Sequence, residues 1–91
     1  MKICLKALAI VGGKEIDCHG HIEIHTKTDI QAYISWQLYD YENNSIAGIS
    51  KNYFIANNNN SIQNIISLVI EDIKKYRMAR KYIIREIKIP V

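Results

Sequence analysis

Residues 2–25 read KICLKALAIVGGKEIDCHGHIEIH, and the reading of this stretch decides how the chain folds. If Gly12-Gly13 is a two-residue hairpin turn, Val11 pairs with Lys14, Ile10 with Glu15, and so on down both strands. Successive strand residues point to opposite sides, so this register sorts the side chains onto two faces. One face collects Ile3, Leu5, Ala7, Ala9 and Val11 with Ile16, Cys18, Gly20, Ile22 and Ile24. The other collects Lys2, Cys4, Lys6, Leu8 and Ile10 with Glu15, Asp17, His19, His21 and Glu23. A slip of one residue would mix the two sets, so turn and pattern specify the same pairing.

Beyond the hairpin, a polar stretch from Thr26 to Asp29 leads to a third strand over 31–39, where Ala32, Ile34, Trp36 and Leu38 alternate with Tyr33, Ser35, Gln37 and Tyr39. A turn at 41–44 leads to a fourth strand over 45–55, with Ala47, Ile49, Tyr53 and Ile55 on one side and Gly48 as the expected bulge. Asn60, followed three residues later by Gln63, fits an N-cap with a capping-box partner. Ile62, Ile65, Ile66, Val69, Ile70, Ile73 and Tyr76 then recur at helical spacing, which predicts a helix over about 61–78. Arg80 would fall on its apolar stripe, so the helix ends first and a last strand runs over 82–89, closed by Pro90. The expected fold is a single α+β domain over 1–91 with order ββββαβ: an antiparallel meander with one main helix on one face. At 1.5 Å per residue that helix is about 27 Å long, too small to cover both faces of a five-stranded sheet. The other face is expected to be solvated or to meet a partner, and an uncovered sheet with free edges suggests a homodimer.

A chain of 91 residues with 48% hydrophobic and 23% charged residues has an ordinary globular composition, which excludes disordered and collagen-like classes. No apolar run approaches the roughly 20 residues that span a bilayer, and Lys6 interrupts the N-terminal apolar stretch, which reads as a strand and not a signal peptide. No membrane partner is expected. Two cysteines are too few for a secreted disulfide framework, so the expected setting is cytoplasmic. The 19 Ile and 8 Asn have AT-rich codons and hint at a low-GC bacterium, phage or other mobile element.

The net charge of +3 hides an asymmetry: residues 74–91 sum to +6 and the rest to −3. Lys74, Arg77, Arg80 and Lys81 could therefore meet an acidic partner, nucleic acid included, although cations also belong at the C-terminal end of a helix. Tyr33, Tyr39 and Tyr41 form the other candidate contact set, since tyrosines anchor protein partners and stack on bases. Asp17, His19, His21, Glu23 and His25 share one side of the second strand, and the hairpin register sets Cys4 opposite His21. Cys4, His19 and His21 are thus candidate zinc ligands, the alternative being a solvated polar face with no cofactor. Gly13, His19 and His21 have a spacing similar to the first metal motif of the cupins, but His25 stands where that motif places Glu and the second motif has no counterpart. No GxSxG, HExxH, CxxC or phosphate-binding loop occurs, so the chain is expected not to be an enzyme.

Trp36-Gln37-Leu38, the turn at Asn43-Asn44, Ile46, Ser50, Tyr53, Ile66 and Val69 resemble the strand-strand-helix unit of the YegP-like family over residues 36–69. That resemblance implies the fold and no activity. A meander followed by a helix and another strand is also similar to the front half of ribonuclease-H-like folds. Gln63 stands near the place of a catalytic Glu, and residues 81–91 contain no Asp. The similarity therefore implies the truncated, catalytically silent form used by HicB-type antitoxins, whose family role is to bind a toxin. Together these readings suggest a small inhibitor that occludes a protein partner, with nucleic-acid binding and metal binding as alternatives.

Overall fold

The computed structural model describes residues 1–55, 61–76 and 80–89, with Arg80 as backbone only. Five strands, β1 (Lys2–Val11), β2 (Lys14–Lys27), β3 (Gln31–Asp40), β4 (Ser45–Phe54) and β5 (Arg80–Lys88), and one helix, α1 (Ile62–Lys75), follow the order ββββαβ. All neighbouring strands are antiparallel, in the order β4-β3-β2-β1-β5. The β1–β2 register is the expected one throughout, from Val11 opposite Lys14 to Cys4 opposite His21. Gly12 and Gly13 have φ of 57° and 80°, the left-handed pair that a two-residue hairpin needs and that glycine adopts without strain.

The chain leaves the sheet from one edge, β4, and returns to it at the other, β5, so α1 bridges the sheet on one side. Its N-cap is Ser61, whose hydroxyl accepts the backbone N–H of Asn64. The helix stops at Lys75, short of the expected 78, and the expected cap Asn60 lies outside the described residues. Lys74 and Lys75 occupy its last turn, where they offset the macrodipole. Strand boundaries also shift, since β2 runs on to Lys27, β3 ends at Asp40, β4 ends at Phe54 and β5 spans Arg80–Lys88.

Three strand pairs carry an irregularity. The fourth strand is bulged near Ile46, where the register passes from Leu38–Ala47 to Tyr39–Ser45, and not at the expected Gly48, which pairs regularly with Gln37. The Asp40 carboxylate accepts the backbone N–H groups of Glu42 and Asn44 and closes the β3–β4 turn, with Asn43 left-handed at φ 64°. These bonds, the Asn44 backbone donor foremost, hold the Asp40 carboxyl below its ordinary value. At Gly20 a Cβ would fall on the Gln37 carbonyl, so only glycine lets β2 and β3 approach there.

One face of the sheet is the core. Ile3, Leu5, Ala9, Ile22, Ile34, Trp36 and Leu38 are buried against Ile65, Ile66, Val69 and Ile73 of α1. The Trp36 ring meets Tyr76 edge-on with centroids 5.3 Å apart. Its indole N–H donates to the Tyr53 hydroxyl at 3.1 Å, and that hydroxyl donates to Asp72 on α1 at 2.6 Å. Lys51 completes the chain with an ion pair to Asp72 at 3.1 Å. Desolvation would raise the Asp72 carboxyl, but hydrogen bonds from Tyr53 and Lys51 outweigh it and leave the group below its ordinary value. Burial, with the bond to Asp72, pushes the Tyr53 phenol well above its ordinary value.

Trp36→Ala should cost about 3–5 kcal/mol in denaturant unfolding, the usual range for deleting a buried aromatic. Tyr53→Phe strands the indole donor and removes a donor from Asp72, and should cost about 1–3 kcal/mol. A lowered folded carboxyl adds stability that is complete above the unfolded value and lost as pH falls through the folded one. Wild type should therefore lose stability below the ordinary value of 3.8 more than Asp72→Asn does. Equal acid sensitivity of the two would count against this role.

Candidate functional site

The face of the sheet opposite α1 is covered by no described element. Period-2 alternation, anchored by the registers, lays the polar residues of the hairpin on it with Tyr33, Ser35, Gln37 and Tyr39 of β3 and Lys81, Ile83, Glu86 and Lys88 of β5. The histidine row and the tyrosine row therefore share one face, a point that alternation within single strands leaves open.

Their rings cluster. His19 lies 5.9 Å from the Tyr39 ring and 5.2 Å from that of Tyr41, while His21 is 6.3 Å from Tyr39. The cause is register: His19 sits directly opposite Tyr39 across β2–β3, and Tyr41 follows two residues later as the chain turns. Further along, an irregularity between Ile24 and Thr26 leaves His25 without a cross-strand partner on β3. Its ring nitrogen lies 2.7 Å from the Ser35 hydroxyl, and the ring lies 5.4 Å from that of Tyr33. Tyr33 and Tyr41 are exposed, and Tyr39 is half-buried.

On the β1–β5 half the face is ionic. Cys4 and His19 border a groove of about 310 Å³ together with Lys6, Glu86 and Lys88. Glu86 bridges the two ammonium groups, at 3.7 Å from Lys6 and 3.5 Å from Lys88. Leu8, also on this face, is only 6% exposed, and its β5 neighbour Ile83 is 39% exposed. Among the register-paired residues of this face, Lys2, Lys6, Lys81 and Lys88 are matched in number by Glu15, Asp17, Glu23 and Glu86, while the exposed Arg85 lies at the β5 bulge outside the register.

The structure divides the sequence candidates. Tyr33, Tyr39 and Tyr41 come together with the histidines. The basic residues scatter: Lys74 belongs to the end of α1, Lys81 to the open face, Arg77 lies outside the described residues, and Arg80 is described only as β5 backbone. Cys4 is exposed and sits opposite His21, whereas His19 sits opposite Lys6 and engages the tyrosines. Among the described residues no group of three or more His, Cys, Asp and Glu side chains is arranged to hold a metal ion. The Lys6 and Lys88 ammonium groups beside the groove also oppose a cation there. Cys18 is buried, and desolvation raises its thiol, as suits an inert core residue. His19 as the hub of the aromatic cluster is the feature that the sequence reading missed, and the signal for it was the β2–β3 register.

No protein-family model, curated protein or solved structure matches the chain. No helix among the described residues is long and apolar enough to cross a membrane.

Desolvation, seconded by the Lys2 ammonium, pushes the His21 imidazole below its ordinary value of 6.5. NMR titration of its ring protons should give a midpoint under that value, and Lys2→Gln should move the midpoint up. A midpoint above 6.5 would show that the neighbouring Glu23 carboxylate controls the group instead.

Proposed function

We propose that this chain is a non-enzymatic, cytosolic binding module that grips a protein partner with the open face of its sheet and acts by occluding it. The observation that carries the proposal is the His19–Tyr39–Tyr41 cluster set in a face whose register-paired charges match in number. Clustered aromatic rings with polar tips are what protein interfaces use as anchors, and a ring of exposed lysines and carboxylates around them supplies the polar rim. A nucleic-acid platform would also use stacking rings, but it needs an excess of cations to track the phosphates. Lys6 and Lys88 are instead tied to Glu86, and Lys74 and Lys75 sit in the last turn of α1. This weighs for a protein partner over a nucleic acid. The AT-rich composition adds a phage or other mobile element as the proposed source. In this reading the partner-free chain is a homodimer, since the outer strands β4 and β5 each pair with only one described strand.

The test is affinity capture with the full chain from cells of the source organism, followed by measured binding of the captured protein. Replacing both rings, His19→Ala with Tyr39→Ala, should weaken binding about 30-fold or more, the scale of losing an interface hot spot. The melting temperature should fall by no more than about 4–8 °C, because a half-buried cross-strand pair contributes up to about 1 kcal/mol. Affinity should fall less than about tenfold between 50 and 200 mM salt. A loss of a thousandfold over that range would identify phosphate contacts and overturn the protein-partner reading.

A further inference from the structure

The two outer strands of the described sheet, β4 and β5, are built differently. On β5 the pairing with β1 is broken by a shift between Lys6 and Ala7, and Lys81, Arg85 and Lys88 are exposed along the strand. A bulge and a row of cations are the usual devices that keep an edge from pairing with another chain. On β4 the irregularity lies near Ile46, and from Ala47 to Phe54 the register with β3 is continuous. That run contains a single charged side chain, Lys51, already held by Asp72 at 3.1 Å. Phe54 is 80% exposed at its end, the most exposed large hydrophobic residue described.

Resting on the homodimer reading above, we propose that the occupant of this edge is a second copy of the same chain, paired antiparallel β4 to β4 about a two-fold axis near Ser50. An antiparallel strand is complementary to itself, so identical edges satisfy each other's ladder groups without a specialised partner. Centred on Ser50, the pairing sets Ala47 opposite Tyr53, Gly48 opposite Asn52 and Ile49 opposite Lys51. The one charge of the run thus faces an apolar neighbour and not its own copy. Ile49, an exposed hydrophobic residue beside Lys51, gains the lysine's aliphatic stem as cover. A two-fold normal to the sheet makes one continuous ten-stranded sheet, with both helices on one side and both aromatic clusters on the other. The dimer would then offer a partner two copies of the binding face.

Light scattering of the full chain at high micromolar concentration should return twice the chain mass of 10.5 kDa. Ser50→Lys sets like charges opposite each other at the axis and should return the single-chain mass with an unchanged helical circular dichroism signal. Ser50→Cys, in a Cys4→Ser background, should form a covalent dimer on mild oxidation, since antiparallel partners have Cα atoms about 4.5–5.5 Å apart. Lys81→Cys on β5 should not. A single-chain mass for wild type, or a double mass that survives Ser50→Lys without Ser50→Cys cross-linking, would overturn the proposal. His19→Ala with Tyr39→Ala should leave the mass doubled, so a failed partner face and a failed β4 pairing read out separately.

Discussion

One fourteen-residue helix lies against a sheet five strands wide, and a single helix can bury only one side of it. Every strand must therefore keep its apolar set on the α1 side, and a shift of one residue in any pairing would reverse that strand. The glycine turn at 12–13 settles the first pairing, and β3 and β5 then build outward from the hairpin. The same constraint leaves the far face uncovered by any described element. Its chemistry is consequently what the remaining half of each strand supplies, and that half is rich in His, Tyr, Lys and Glu.

The helix is held over the sheet by more than apolar packing. Trp36 on β3, Tyr53 and Lys51 on β4, and Asp72 on α1 form a connected polar chain at the rim of the core. Such a chain has directional geometry, so it fixes how far along the sheet α1 sits, whereas isoleucine side chains alone would tolerate sliding. The Lys51 ammonium also stands 4.8 Å over the Tyr53 ring, which adds a cation–π contact to the same corner. These contacts place the end of β4 firmly, and with it the edge whose pairing is proposed.

Much of this architecture is legible in the sequence because period-2 alternation and turn glycines are local signals. The β1–β2 register, the face assigned to Trp36 and the apolar stripe of α1 all stand as read. What was hidden depends on distant residues. Nothing near Asp72 announces that Tyr53 and Lys51 will reach it. Gly48 carries a local bulge signal, yet Asp40 sets the turn geometry and the irregularity falls near Ile46 instead. The aromatic cluster escaped for a similar reason, since His19 and Tyr39 are 20 residues apart and meet only through the β2–β3 register. The +6 charge of residues 74–91 read as one patch because sequence adjacency says nothing about which side a strand presents.

The sheet thus has one face sealed by α1 and one ring-bearing face that no described element covers. Hydroxyl-radical footprinting of the free chain, read residue by residue by mass spectrometry, tests this facing most directly. Rapid oxidation is expected at Tyr33 and Tyr41 and measurable oxidation at Tyr39 and His19, with strong protection of Trp36 and Tyr53, which are 1% and 7% exposed. Oxidation of Trp36 at the rate of an open indole, with protection of the tyrosines of β3, would contradict this facing by showing that the helix covers the other face.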